Sequence, residues 1–368
     1  MRMRRRDFIK LAICSSGYIL SKDLGFVYAS VKEKEAIYYK KLKDNSIQCL
    51  HCPHNCTVKE GKRGFCRIKE NRKGKFFNIV YAKPCAVHLD PIEKKPFFHF
   101  LPGSKSLSIA TAGCNLRCQF CQNWQISQAD PEQVNSIDLP PEDIVLKGVQ
   151  LKSLSIAYTY TEPMIFYEFA LDTAVIAKSY GIKNVMHTNG YINPAPLRMI
   201  CPHIDAINVD LKAFSEEYYQ KVCAASLNQV LENLIIIKRE MGVWLELTNL
   251  IVPSLNDNPN QIRKMCEWIY KNLGPDVPIH FSRFFPTYKL TTLPPTPVST
   301  LESAHRIAID SGLKFAYIGN IPGNPAECTY CPKCNKELIK RAGYTVLKNV
   351  LTENKCTYCQ APIAGVFI

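Results

Sequence analysis

Cys114-Asn115-Leu116-Arg117-Cys118-Gln119-Phe120-Cys121 sets three cysteines apart by three residues and then by two, with no fourth cysteine close by in the chain. A four-iron cluster saturated by protein takes four thiolates, so a tight trio leaves one iron without a protein ligand. An open iron is a place for chemistry. The apolar lead-in from Ser106 to Ala112 reads as a short strand ending at Gly113. That puts the trio on a loop after a strand, where enzymes of alternating strands and helices keep their reactive groups. Read from spacing alone, the trio is also compatible with part of a zinc site or with a cluster completed by a distant cysteine.

The remaining cysteines sharpen the picture. The chain has 17 in 368 residues, and most fall into groups at two- and three-residue spacings, which in a chain long enough for a full core argue for metal ligation, not disulfide staples. Cys49, Cys52, Cys56 and Cys66, interleaved with Gly61 and Gly64, form a knuckle able to hold zinc or a second cluster, with His51 and His54 as alternative ligands. Cys331-Pro332-Lys333-Cys334 and Cys356-Thr357-Tyr358-Cys359 stand 21 residues apart, a separation that fits a tetrahedral zinc ribbon. Cys328 is a spare at the same spacing from Cys331, leaving open which four ligate.

Four segments are expected. Residues 1–30 read as a twin-arginine-like signal or a basic extension, from Arg5-Arg6-Asp7-Phe8-Ile9-Lys10 through a moderately apolar run to Val27-Tyr28-Ala29,. Residues 31–89 form the Cys-rich lobe, 90–324 the core, and 325–368 the zinc-ribbon-like module. In the core, strands are expected at Ser106 to Thr111, Leu154 to Tyr158, Lys183 to His187, Ala206 to Asp210, Trp244 to Val252 and Ile279 to Phe284. Helical patterns such as Met164 to Tyr180, Leu227 to Met241 and Asn260 to Leu273 lie between them. Apolar strands alternating with helices imply an α/β fold with parallel strands, either a partial barrel or an open doubly wound sheet.

Net charge is +14, but residues 1 to 75 hold 19 Lys and Arg against 7 Asp and Glu, so +12 lies there and +2 in the rest. The excess is local, which argues against nucleic acid as the main partner although a basic lobe can meet RNA, an acidic protein or a membrane surface. No segment reaches the apolar length needed to span a bilayer.

The trio with Phe120 before its third cysteine resembles the signature of the radical S-adenosylmethionine (SAM) enzymes. Asp90-Pro91-Ile92-Glu93-Lys94-Lys95-Pro96, the aromatic run Phe97 to Gly103, and Gln122-Asn123-Trp124-Gln125-Ile126-Ser127-Gln128 resemble one subfamily, the AmmeMemoRadiSam system enzymes, relatives of the pyruvate formate-lyase activating enzymes. The likeness runs from about Cys49 to the C-terminus. It implies a partial (β/α)6 barrel, a 4Fe-4S cluster on Cys114, Cys118 and Cys121, and SAM as the ligand of the open iron. The product is a 5′-deoxyadenosyl radical that takes hydrogen from a substrate, a protein or peptide before a small molecule. A reductant such as flavodoxin or ferredoxin is implied, with Memo-like and AMMECR-like proteins as possible partners. SAM and strong reductants place the chemistry in the cytoplasm, in tension with the export-like head.

The resemblance also assigns residues at the strand ends. Thr161-Glu162-Pro163 stands where the superfamily keeps Gly-Gly-Glu-Pro, with Glu162 as the matching acid and Tyr160 and Thr161 in place of the glycines; Glu162 is also the kind of acid that favours any helix N-terminus. Thr188 and Asn189 match the Thr-Asn-Gly turn beside the cofactor, and Asp210-Leu211-Lys212 matches an Asp-Leu-Lys element facing cofactor and substrate. Without the resemblance, Asp210 and Lys212 read as a surface ion pair. By the two-residue period His280 and Ser282 share a face opposite Arg283, making His280 a candidate for the interior as well as for a structural histidine. Thr248 stands near where some relatives carry an arginine. The reading of a different class is a non-catalytic iron-sulfur and zinc binding module acting on RNA or a partner protein.

Overall fold

The computed structural model describes residues 33–367; the twin-arginine-like stretch lies outside the described residues. The main sheet contains β1 (Ala86–Pro91), β2 (Lys105–Ala110), β3 (Ser155–Tyr158), β4 (Lys183–Thr188), β5 (Ala206–Asp210), β6 (Trp244–Ile251), β7 (Ile279–Arg283) and β8 (Ala316–Gly319), and its spatial order follows the chain throughout. β1 runs antiparallel to β2, and every later neighbouring pair is parallel. The six expected strands are β2 to β7; β8 and β1 extend them at either side.

Strand order separates the two architectures that periodicity leaves open. A doubly wound sheet reverses direction at a switch point; this one does not. Strands lie about 4.8 Å apart, so a flat sheet would spread the ends of β2 and β8 over roughly 30 Å. Yet residues at or just beyond the ends of β2, β3, β4, β5, β6, β7 and β8 all border one cavity of about 800 Å³. The sheet therefore curls around that cavity. No pairing joins β8 to β1, and the curl stays open there.

The connections after β2 carry α1 (Pro141–Gln150), α2 (Tyr167–Ser179), α3 (Pro194–Ile200), α4 (Leu227–Ile235), α5 (Pro259–Leu273) and α6 (Val298–Asp310). α5 shows why such segments form helices. Asn258 caps the N–H groups of Asn260 and Gln261, Pro259 occupies the first position, and Gly274 at φ 100° ends it,. Its buried stripe is Ile262, Met265, Cys266, Ile269 and Leu273, each large apolar side chain stabilising by about 1.5–3 kcal/mol. The helix expected to run to Met241 instead ends at Ile235 and widens into a π turn, Ile236–Glu240. α2 starts three residues later than expected, after a turn in which the Met164 N–H donates to Glu162 (2.9 Å).

Beyond β1, the segment Pro96 to Leu101 crosses the inside of the curl. Asn208 on β5 donates to the Pro96 carbonyl (2.7 Å), and Glu246 on β6 accepts the N–H groups of Phe98 (3.0 Å) and His99 (2.9 Å). The Phe98 ring meets His280 of β7 and Tyr317 of β8 edge-on. The C-terminal module is a three-stranded antiparallel sheet, Thr329–Tyr330, Glu337–Ala342 and Thr345–Asn349. It shares one hydrophobic cluster with the core: Phe98, Phe315 and Tyr317 pack with Leu338, Ile339 and Ile363. The N-terminal lobe contains two small antiparallel sheets, fastened to α2 by the fully buried pair of Lys69 and Glu168 (3.0 Å).

Candidate active site

The cysteine loop leaves β2 through Gly113, whose φ of +91° and surroundings admit only glycine: a Cβ there would lie 2.7 Å from the Cys66 carbonyl oxygen,. Arg117 and Gln119 then donate their N–H groups to the carbonyls of Cys223 (2.8 Å) and Val222 (3.1 Å), pinning the loop's far side. Cys114 Sγ accepts the Leu116 N–H (3.3 Å), and Cys121 Sγ lies 3.1 Å from the Ser127 hydroxyl. All three sulfurs belong to residues bordering the cavity. Burial pushes the thiols of Cys114 and Cys121 up. Cys118 is held down, first by a hydrogen bond from the Cys223 thiol.

The other strand ends place the expected residues around the same space. Glu162 is buried and receives three hydrogen bonds: the Thr188 hydroxyl (2.6 Å) and Met164 N–H (2.9 Å) on one oxygen, and the Asn189 N–H (2.8 Å) on the other. Burial dominates and raises its pKa, while those donors work against the rise. Asn189 in turn donates to Asn115 Oδ1 (2.8 Å), joining the turn after β4 to the cysteine loop. Asp210 pairs with Lys212 (3.0 Å) and His187 (2.9 Å). Burial alone would raise the Asp210 carboxyl, but the Lys212 ammonium and the hydrogen bonds from His187 and Lys212 hold it well below the ordinary range. Lys212 sits over the Phe120 ring at 5.6 Å, an arrangement that fixes both. The surface-pair reading of Asp210 and Lys212 is excluded by their position on the cavity wall.

Thr161 donates to the Thr111 carbonyl (2.9 Å). Tyr160 adopts φ 63°, a left-handed conformation costly for a bulky residue and natural for the glycine it replaces. Its hydroxyl donates to Asp90 and its carbonyl accepts from Asn123 (2.8 Å), so contacts at both ends hold the turn.

His280 and Ser282 both face the cavity, as the two-residue period requires. His280 Nε2 is engaged by Glu246 (2.8 Å), and burial lowers its pKa. Thr248 donates to Asn208 (2.8 Å) and carries no charge to offer a carboxylate. Three residues were not singled out from the sequence: Glu246, His187 and Cys223. Glu246 had a signal, an acid inside an otherwise apolar strand; Cys223 had none.

Comparison with known proteins now decides the family. The radical SAM superfamily model matches residues 108–269. An uncharacterized protein of Methanocaldococcus jannaschii is 47% identical over 328 residues, 89% of this chain and 97% of that one. The pyruvate formate-lyase-activating enzyme of Clostridium pasteurianum is 24% identical over 181 residues, 47% of this chain and 71% of that one. The chain belongs to the radical SAM superfamily. A solved domain of the Bacteroides vulgatus pyruvate-formate lyase-activating enzyme aligns at TM-score 0.40 and 17% identity, over 45% of this chain and 99% of that domain.

Radical SAM membership implies a 4Fe-4S cluster and SAM, and the donor set fits both. Cys114, Cys118 and Cys121 are the only cysteines among the described residues lining the cavity, which leaves a fourth ligand position facing it. Around it stand an acid, an amide, a hydroxyl and a lysine that can meet a ligand carrying an amine, a carboxylate and an adenosine.

The other two cysteine groups differ in geometry. Cys331, Cys334, Cys356 and Cys359 bring all four sulfurs within 4.8 Å of one another, with Cys331 to Cys359 at 3.6 Å and Cys334 to Cys356 at 3.7 Å. A tetrahedral ion with metal–sulfur distances of about 2.3 Å requires sulfurs about 3.8 Å apart. Cys328 stands aside, its sulfur accepting the Arg341 N–H (3.4 Å). Among the described residues no other such group occurs, so Cys49, Cys52, Cys56 and Cys66 do not close to single-ion spacing. No helix among the described residues is long and apolar enough to cross a membrane.

Proposed function

We propose that this chain is a radical SAM enzyme of the AmmeMemoRadiSam type that abstracts hydrogen from a protein or peptide, in the manner of a glycyl-radical activase. One observation carries the reading: the cysteine trio, Glu162, Thr188, Asn189, Asp210, Lys212 and His280, from five different strand ends or adjoining loops, converge on one cavity. In this reading Cys114, Cys118 and Cys121 hold the cluster, and Thr161, Glu162, Thr188, Asn189 and Phe120 hold SAM. Together these groups, when bound, supply a 5′-deoxyadenosyl radical by one-electron cleavage of the sulfonium. The protein's own work is orientation and exclusion of water. Glu162, locked by three donors, presents a fixed carboxylate, and the Asp210–Lys212–His187 group keeps a cation and an anion beside the trio without rearrangement. His280, tied to Glu246, acts by positioning.

A macromolecular substrate is supported by the cavity's mouth, where Phe285, Pro322 and exposed Tyr344 of the C-terminal hairpin form part of the wall. The activating-enzyme names of several relatives support it as well. Memo-like and AMMECR-like proteins are the first candidates to screen, ferredoxin or flavodoxin the reductant, and zinc the ion of the C-terminal four. The test is anaerobic: reconstitute with iron and sulfide, add a strong reductant and SAM, and quantify 5′-deoxyadenosine. The expected result is product from the wild type and none from Cys114→Ala. A loaded cluster that cleaves no SAM under any reductant refutes the reading.

A further inference from the structure

The N-terminal cysteine knuckle touches the radical site. Gly113, which precedes the first trio cysteine, abuts the Cys66 carbonyl and Ile68 so closely that no Cβ fits. The His54 ring bonds the Asn115 carbonyl (2.8 Å), and Arg117 between two trio cysteines reaches the Phe65 carbonyl and lies over the Phe65 ring at 4.0 Å. Two cysteine groups are thus joined by direct backbone contact.

Cys56 and Cys66 turn their sulfurs to one spot, each 3.9 Å from where a Cβ on Gly64 would lie. Cys56 Sγ accepts the Phe65 N–H (3.4 Å). The same contact occurs at the radical trio, where Leu116 donates its N–H to Cys114 (3.3 Å). Such donors stabilise thiolates bound to metal and tune cluster potentials. Spacing then selects the occupant. The C-terminal four close to the distance a single ion demands, and the N-terminal four do not, which suits thiolates spread around a cube of iron and sulfide.

We propose that Cys49, Cys52, Cys56 and Cys66 hold a second iron-sulfur cluster that relays one electron to the Cys114, Cys118 and Cys121 site. The relay rests on the radical reading of that neighbouring site; the cluster itself does not. A reduced low-potential one-electron protein donor is oxidised by one electron, the knuckle cluster takes and returns that electron, and the radical site receives it. No bond forms or breaks in the relay. The lobe suits such a donor: residues 33–75 carry 12 Lys and Arg against 5 Asp and Glu, and Lys40, Lys41, Lys43, Lys59 and Lys62 are exposed, a surface that steers an acidic partner.

The decisive measurement is metal content and electron paramagnetic resonance of the full chain with Cys114, Cys118 and Cys121 all replaced by alanine. About four irons and four sulfides per chain, with a reduced-cluster signal, are expected to remain. Zinc in the knuckle with no retained iron overturns the proposal. The relay is tested with Cys66→Ser in the otherwise intact enzyme. 5′-Deoxyadenosine formation driven by reduced ferredoxin or flavodoxin should fall about tenfold or more, a loss of ~1.4 kcal/mol per decade, while formation driven by titanium(III) citrate should persist. Equal loss with both reductants overturns the relay. Should the wild type cleave no SAM even with titanium(III) citrate, the radical reading fails, and the iron retained by the triple variant still decides the second cluster.

Discussion

Replacing Glu246 tests how the interior is held together. This fully buried carboxylate accepts four donors: the N–H groups of Phe98 (3.0 Å) and His99 (2.9 Å), His280 Nε2 (2.8 Å) and the Trp244 indole N–H (3.1 Å). Burial opposes its charge, but the hydrogen bond from His280 leads the effects that hold it ionised. Glu246→Ala orphans those donors, each at about 1–3 kcal/mol when left buried without a partner. Trp244 is only half-buried and can turn to water, and a water can enter the space left by the side chain, so the expected loss is about 3–5 kcal/mol. Glu246→Gln keeps the shape and an acceptor oxygen and can donate to the other tautomer of His280, so about 1–3 kcal/mol is expected. Denaturant midpoints of the anaerobic, metal-loaded chains measure both, provided the slopes agree. An alanine variant within about 1 kcal/mol of wild type would falsify the claim that the crossing segment hangs on Glu246.

Three further outcomes follow from the same contacts. Lys212→Met should leave the fold intact, because Asp210 keeps His187 as a partner, yet lower single-turnover SAM cleavage by about tenfold or more; an unchanged rate removes Lys212 from the site. Cys356→Ser should release the single ion of the C-terminal group, seen by metal analysis, and lower the melting temperature, since that metal supplies folding energy to a small module; unchanged stability with the metal gone refutes this. His99, pushed down to about 4, and His280 are buried bases whose folded pKa values lie below the ordinary 6.5, first through burial. The unfolded chain therefore binds protons before the folded one, so stability is fully present above about pH 6.5 and falls toward pH 4, by at most ~1.4 kcal/mol per pH unit for each histidine. A midpoint flat across that range counts against both assignments.

The strands and the cysteine trio were legible because each is a local pattern: a run of apolar residues between turns, or ligands a few residues apart. β8, Ala316–Gly319, was not: its Tyr317 packs with Phe98 and the C-terminal module, contacts remote in sequence. Spacing identified the four-cysteine groups but carries no information on how far apart the sulfurs stand, and that distance separates a single ion from a cluster. It also left Cys328 as a rival ligand, and only the mutual approach of the other four sulfurs to within 4.8 Å sets it aside. Glu162, Thr188 and Asn189 were found as separate turn residues, yet their meaning lies in one carboxylate accepting from two strand ends. Tyr160 breaks the glycine rule at its turn because Asp90, 70 residues away, anchors its hydroxyl.

An open curl of strands has a physical difficulty, and the ends of this chain answer it. Between β8 and β1 nothing pairs, so the polar inner face would be wet and the intermediates of any radical reaction exposed. The segment from Pro96 to Leu101 fills the interior, and Arg341 of the C-terminal sheet, fully buried, donates to the Phe98 carbonyl (2.8 Å) and lies over its ring. His99 binds Tyr317 on β8 and the Ala364 carbonyl (2.7 Å) near the chain's end. The hinge of this cover is therefore one dipeptide, Phe98-His99, gripped by β6, β7, β8 and the C-terminal module together. The four C-terminal cysteines, 230 residues or more along the chain, are coupled through it to the wall on which His280 sits, and so would be any ion they hold. Loss of the C-terminal ion should accordingly loosen the cavity before it unfolds the sheet, and water access to the site should rise at temperatures where the strands are still protected from hydrogen exchange.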